Sequence, residues 1–347
     1  VKYDVVIVGA GLTGCTVARI LKDRGKKVLI VERDRIGGNC RTEMMHNIEV
    51  HIHGPHTWHN SFPRVQSFMD RFTKFSKYRH VKFGFHGDTF YPFPLSLDTI
   101  REFDFDITED DLKSFIMKAD QSSFEAYLVS IVGQELFDLF YKNYSLKQWG
   151  TLDIPVDIAK RVPIHTGHGS NVFFDSYQAQ PKNYNEMFDK MVEGIEIVND
   201  NYLDDKDYYN KSSVVVYTGS LDEYFNYTIG ALSYRTIRHQ HVLRDTVYSQ
   251  PCATLNYLDC RDELRSIEHK HFNQHSLLPG TVVSYEFVEP WKGGDVRYYP
   301  MWDYELFWSY YDMLPKNIFI AGRLGRYKYL DMNIAVKDAM CLAEILS

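Results

Sequence analysis

Residues 3–8 (YDVVIV) and 27–32 (KVLIVE) are almost continuously apolar. Runs of this kind belong to strands buried on both faces of a parallel sheet. GAGLTG and a helical stretch from Cys15 to about Asp23 lie between them, so the chain opens with a βαβ unit. Residues 214–219 (VVVYTG) and 318–321 (IFIA) repeat the buried-strand pattern. Between 98 and 147 the period becomes helical, with Leu112, Phe115 and Ile116, then Phe124, Tyr127, Leu128 and Ile131, then Leu136, Leu139 and Phe140. These predict several helices packed as a small α-domain. The segment 150–169 holds Pro155, Pro163, Gly167 and Gly169 and reads as a long loop suited to a mobile lid. From 231 to 299 apolar and polar residues alternate, as in 253–258 and 281–287, which predicts an antiparallel sheet. Residues 333–346 form a terminal amphipathic helix with Ile334, Val336, Ala339, Leu342 and Ile345 available for packing.

The chain has 347 residues, 44% of them hydrophobic, enough for one large domain or two to three interlocked ones. A net charge of -7 argues against a nucleic-acid partner, which usually meets a basic face. The five cysteines are scattered without a CxxC pair, so neither a disulfide framework nor a zinc site is expected. That usage fits a reducing, cytoplasmic location. No apolar run approaches the ~18 residues of a membrane span, and the chain opens directly into a strand rather than a signal peptide.

Gly9, Gly11 and Gly14 form G-x-G-x-x-G between a predicted strand and a predicted helix. The first glycine permits the tight turn, the second lets a pyrophosphate approach, and the third lets helix and strand pack closely. The helix start at Leu12 and Thr13 offers backbone N–H groups to phosphate. Glu32 ends the second strand, where an acceptor for ribose hydroxyls belongs. Arg33 to Asn39 reads RDRIGGN, so Gly37 and Gly38 make a second turn of the kind FAD enzymes place against the cofactor. Thr218 follows the third buried strand. Gly322 and Arg323 follow the fourth, and Arg323 suits bidentate pairing with a phosphate. A site closed by the last part of the chain points to FAD rather than NAD. The fold class expected is α/β, with a glutathione-reductase-like FAD-binding Rossmann domain, an inserted helical domain and an antiparallel β-sheet domain. The boundaries expected are 1–90 with 186–225 and 312–347 for FAD, 91–165 for the helices and lid, and 166–185 with 226–311 for the antiparallel sheet.

Collinear motifs then become specific. They are GAGLTG and IGGN, HGPHTWHN (53–60), YSLKQWG (144–150), KRVPI (160–164), YTGSLDEYF (217–225), ALSYRT (231–236), RSIEHKHF (265–272), YYP (298–300) and AGRLGRYKYLDM (321–332). In these the chain resembles the UDP-galactopyranose mutase family, in its compact bacterial form, almost end to end. The resemblance implies an isomerase in which N5 of reduced FAD attacks the anomeric carbon of a nucleotide sugar while the ring changes between pyranose and furanose. It implies an external reductant such as NAD(P)H and a role in cell-surface polysaccharide synthesis. Compact members are often dimers, which leaves a homodimer open. The alternative kept is a conventional FAD-dependent oxidoreductase on the same fold.

The resemblance also assigns roles. Arg161 and Arg265 would hold the diphosphate, with Tyr299 and Tyr329 contacting phosphate and Arg235 a further active-site arginine. Trp149 would lie near the sugar, Tyr144 with Phe140 and Tyr141 would stack the nucleobase, and Asp331 and Met332 would meet the flavin. The histidines at 46, 51, 53, 56 and 59 invite a metal reading, but they coincide with the family segment beside the flavin. No metal is therefore expected, and His56, with His59 as second candidate, would hydrogen-bond near flavin N5 and the C4 carbonyl. Departures from the family are His165 at the end of KRxPxR, Val172 where a substrate-contacting tyrosine is usual, Gln178-Ala179 in place of QG, and the sequence 56–60. They suggest that the reaction is kept while the sugar or base is altered, with UDP-N-acetylgalactosamine or a dTDP-6-deoxyhexose as examples.

Overall fold

The computed structural model describes residues 3–103, 105–167, 169, 173, 177–210, 214–272 and 277–347; Val172 lies outside them. The buried runs pair as predicted. Val5–Val8 lies between Val28–Glu32 and Val214–Tyr217, all parallel, with Glu196–Asn199 and Ile318–Ile320 at the two edges. Successive side chains enter different cores. Val5, Ile7, Val28, Ile30 and Val216 pack against the helices Leu12–Asp23, Tyr184–Met191 and Met332–Ile345. Val6, Leu29, Val31, Val215 and Tyr217 face a second layer rich in tyrosine, including Tyr202, Tyr209, Tyr224 and Tyr310. Covering both faces is the reason the strands carry no polar alternation.

The helical unit is built on Phe124–Phe137, interrupted at Gly133 with φ 81°. It continues through a π-helical segment, Asp138–Lys142, into Asn143–Trp149, which stops at Gly150 with φ 78°. Leu112, Phe124, Leu128, Ile131, Leu136, Phe137 and Phe140 form its core. The stretch read as a loop from 150 to 169 contains a short helix, Val156–Ala159, and a strand, Ile164–His165, paired in parallel with Leu95–Ser96.

A seven-stranded sheet makes the third layer, in the order Tyr299–Pro300, Tyr234–Arg244, Thr281–Pro290, Arg265–Glu268, Thr254–Tyr257, Lys82–His86, Thr89–Phe93. It is antiparallel except where Thr254–Tyr257 meets Lys82–His86. Two expected boundaries are corrected here. The strand Lys82–His86 belongs to this sheet and not to the FAD unit, because its backbone is hydrogen-bonded to Thr254–Tyr257. Tyr177–Pro181 pairs instead with Trp58–Asn60 and Phe75–Lys77 and is absent from the large sheet. Sequence distance hid both pairings. Among the described residues no helix is long and apolar enough to cross a membrane.

Candidate active site

A cleft of about 660 Å³ lies over the C-terminal ends of Val5–Val8 and Val28–Glu32. Gly9 turns at φ +96°, and a Cβ there would stand 2.2 Å from Thr218 Oγ1, which itself donates to the Val8 carbonyl. A Cβ on Gly14 would lie 2.0 Å from the Gly9 carbonyl oxygen. Gly11 caps the first helix with no side-chain bond, so the N–H groups of Leu12 and Thr13 open into the cleft. Gly38 crosses Gly11 so closely that a Cβ on Gly38 would meet the Gly11 Cα at 3.1 Å. Glu32 accepts from the N–H groups of Ala10 (2.6 Å) and Asp34 (2.9 Å), which fixes its carboxylate on the cleft wall. Arg33 is on the exposed rim, paired with Glu223 at 2.7 Å, and Asn39 lines the floor. The glycine-walled channel, free N–H groups and fixed acid fit the pyrophosphate and ribose of FAD.

At the other end stand His56, Cys40, Gly322, Arg323, Leu330 and Met332, with Asp331 as the N-cap residue of the last helix. His56 Nδ1 is 2.7 Å from the Gly54 carbonyl, so Nδ1 carries the proton and Nε2 is left as an acceptor. Burial, with nearby His51 and Arg323, holds its pKa well below the ordinary histidine value, so His56 is neutral. Arg323 donates to the Tyr298 carbonyl at 3.2 Å and lies 4.7 Å from the Tyr329 ring. Arg323 lines the cleft, and its guanidinium lies at the boundary with a second cavity.

This second cavity, about 950 Å³, is lined by Tyr141, Tyr144, Trp149, Arg161, Arg265, Tyr299 and Tyr329, among others. The Tyr299 and Tyr329 rings stack at 5.7 Å and Trp149 approaches Tyr299 at 5.4 Å. The Arg161 guanidinium rests 5.0 Å from the Tyr329 ring. Arg265 donates to the Tyr299 hydroxyl at 3.2 Å and is ion-paired with Glu286, which is fully buried. Burial alone would raise the Glu286 carboxyl, but Arg265 and His239 bring it down to about 2. The Tyr141 hydroxyl and Asn256 Oδ1 are buried without hydrogen-bond partners among the described residues, and both residues line this cavity. Orphaned polar atoms of this kind mark a place for a polar ligand.

Three expected substrate contacts and the second flavin candidate, His59, lie elsewhere. Phe140 is fully buried in the helical core, edge-on to Tyr91 at 5.5 Å, so it supports Tyr141 rather than stacking a base. Arg235 donates to the carbonyls of Lys147 (3.2 Å) and Val288 (3.0 Å) and packs under Gly150, which anchors the end of the helix bearing Trp149. His165 is buried in the ladder with Ser96. His59 stacks on Phe173 at 3.9 Å, outside both cavities. Backbone carbonyls captured Arg235, and side-chain packing captured Phe140 and His59. Sequence reading missed Lys82 and Asn256 on the cavity wall, and the cleft wall at 291–297, where Gly293-Gly294 was the available signal.

The Arg265–Glu286 pair carries a stability prediction. A depressed carboxylate pKa stabilises the fold above its unfolded value near 4.5, and this contribution is lost as pH falls toward about 2. Glu286→Gln leaves Arg265 buried without its partner and should cost about 3–5 kcal/mol. Thermal unfolding of the holoprotein at neutral pH measures this, and an unchanged midpoint contradicts the assignment.

A dinucleotide cleft set beside a cation- and tyrosine-lined chamber, with Arg323 packed on Tyr329 between them, defines a flavoenzyme, with FAD the cofactor its Rossmann layer supports. The family model for UDP-galactopyranose mutase matches residues 139–329, and a Rossmann-like NAD(P)-binding model matches 7–72. A probable UDP-galactopyranose mutase from Klebsiella pneumoniae is 31% identical over 98% of this chain and 94% of its own. A dTDP-fucopyranose mutase from Escherichia coli is 30% identical over 98% and 97%. The crystal structure of reduced UDP-galactopyranose mutase shares the fold, with a TM-score of 0.74 at 14% identity over 99% of this chain and 95% of the other. This chain belongs to the UDP-galactopyranose mutase family and is an isomerase of the mutase type.

Proposed function

We propose that this protein interconverts the pyranose and furanose forms of a nucleoside-diphosphate hexose, with FAD active in its reduced state. The observation that carries the reading is the junction at Arg323, Tyr298 and Tyr329, where the cofactor cleft and the tyrosine-lined cavity share a wall. Reduced FAD supplies, when bound, the nucleophile for the anomeric carbon.

The chain's own groups bind, orient and exclude water. Arg161 reaches the cavity from the 150–167 segment and offers a planar fork to the diphosphate, while Tyr299 and Tyr329 add hydroxyl donors. Arg265, balanced by Glu286, orients the Tyr299 hydroxyl and lends its remaining N–H groups to the same oxygens. Tyr141 and Tyr144 border the nucleobase end, and the unpartnered Tyr141 hydroxyl has a donor to give. Trp149 covers the sugar side and keeps water out. Neutral His56 presents Nε2 as an acceptor toward the cofactor's reacting edge.

The external reductant is a reduced nicotinamide cofactor. A cytoplasmic location suits an enzyme that must keep its flavin reduced and whose five cysteines are all unpaired. The substrate's base and sugar are open between the uridine and thymidine types, since the two relatives are almost equally similar. The test is to incubate the dithionite-reduced holoenzyme with UDP-galactofuranose and dTDP-fucofuranose and resolve products by chromatography. Many turnovers to the pyranose without consumption of oxygen or acceptor are expected for at least one of them. Product formed in proportion to oxygen consumed would instead identify a conventional oxidase.

A further inference from the structure

The seven-stranded sheet carries its polar residues in register. Asn256 stands opposite Arg265, Arg265 opposite Glu286, and Glu286 opposite His239. One pleat along, Lys82 stands opposite Thr254, Thr254 opposite Ile267, and Ile267 opposite Ser284. Gly84 pairs with Asn256, so Lys82 and Asn256 share a face, and both line the second cavity.

The charges on that wall do not contribute equally. Arg265 is neutralised by Glu286 and Arg326 is paired with Asp338. Asp157 is held by Lys160, and Lys328 is exposed, as Arg161 is, whereas Lys82 is partly buried. Among the described residues neither Lys82 nor Arg161 has an ion-pair partner, and both line the cavity. A nucleotide sugar brings a diphosphate with two negative charges. Arg265 adds little net charge to meet them, because a carboxylate already answers it.

We propose that Lys82 is a diphosphate-binding residue, supplying from the sheet wall the uncompensated positive charge that complements Arg161. The proposal rests on the mutase reading of the cavity and adds to it a cation that the sequence motifs did not single out. Lys82 is partly buried at the edge of the cavity, where an ammonium needs an anion or water. Burial and then Arg265 push its pKa down to about 8, partly offset by Glu286 and Asp331. Lys82 is therefore cationic at pH 7 and loses its charge as pH rises past 8.

The cysteine and histidine nearest it do not change charge in that window. Burial raises Cys252 to about 11, and burial holds His80 well below the ordinary histidine value. Lys147 also lies at about 8, lowered by burial, but donates to the carbonyls of Tyr257, Asp259 and Glu263 away from the cavity.

The test uses oxidised holoenzyme, UDP-galactose and dTDP-galactose as probes, and calorimetric titration at pH 7 and pH 9. Lys82→Met should weaken binding of the better probe about 10- to 100-fold at pH 7, the effect of losing one charge-assisted contact. It should also abolish most of the affinity loss that the unaltered protein shows between pH 7 and pH 9. Lys82→Arg should keep the affinity and lose the pH dependence. Flavin content equal to that of the unaltered protein verifies folding, and Lys82→Arg carries the test if the Met variant does not fold. Wild-type affinity and an unchanged pH slope in Lys82→Met overturn the proposal. If the unaltered protein binds neither probe, the mutase reading fails first.

Discussion

Gly14→Ala should yield a protein without bound FAD and with a markedly lower unfolding midpoint. The added Cβ would lie 2.0 Å from the Gly9 carbonyl oxygen, 3.1 Å from its carbon and 3.3 Å from Ile7 Cγ2. Two of those atoms are backbone in the turn itself, so no rotamer change relieves the clash. Helix Leu12–Asp23 must retreat from Val5–Val8, and its packing against Met332–Ile345 in the first core retreats with it. Overpacking in a core costs about 1–3 kcal/mol, and a clash between backbones sits at or above that range. The N–H groups of Leu12 and Thr13 move off the cleft at the same time, which removes the phosphate site. Gly11→Ala makes the informative partner. The nearest atom to its Cβ would be the Gly38 Cα at 3.9 Å, so the apoprotein should keep its stability. The methyl group would instead occupy the channel where a pyrophosphate must pass, and flavin should be lost without unfolding. Visible flavin absorbance per chain and thermal unfolding separate the two variants. Full flavin occupancy in Gly14→Ala would remove the basis for the helix-start phosphate site.

Arg161→Ala is expected to lower kcat/KM about 10- to 100-fold while FAD stays fully bound. Arg161 lines the second cavity and not the cofactor cleft, so the cofactor has no contact to lose. The guanidinium is held over the Tyr329 ring at 5.0 Å, which presets its orientation without using its N–H donors. Those donors are free to fork onto a diphosphate, and lysine cannot reproduce the fork, so Arg161→Lys should recover only part of the activity. Losing Arg161 also removes an uncompensated charge from the chamber, so most of the loss should appear in KM for the nucleotide sugar. Steady-state kinetics of the reduced holoenzyme measure both terms. Normal turnover in Arg161→Ala would place the diphosphate elsewhere.

Much of the cofactor half was legible in the sequence because its determinants are local. A strand, three glycines at fixed spacing and an acid at the end of the next strand obey rules of turn geometry that tertiary context rarely overrides. Gly9, Gly14, Gly38 and Glu32 occupy the places that spacing assigns. The return of the chain at Gly322 and Arg323 was readable for the same reason, as a strand running into a glycine turn.

The substrate half was harder. Phe140 and Tyr141 are adjacent in sequence, yet one is sealed in the helical core and the other faces the cavity. The π-helical turn at Asp138–Lys142 shifts the phase of the helix there, and the apolar pattern carries no mark of it. Arg235 has the type and motif of a ligand-binding arginine, but the carbonyls beside Gly150 claimed it.

By itself, then, the sequence determined the dinucleotide turn, the parallel core and the family to which this chain belongs. Only the tertiary structure decided which cations remain uncompensated. Glu286 cancels Arg265 from 21 residues away, across a strand pair. Lys82 meets the same wall from a strand recruited out of the N-terminal part of the chain. Charge in a cavity depends on the sum of what surrounds it, and that sum is fixed by strand order and register, which local patterns do not encode.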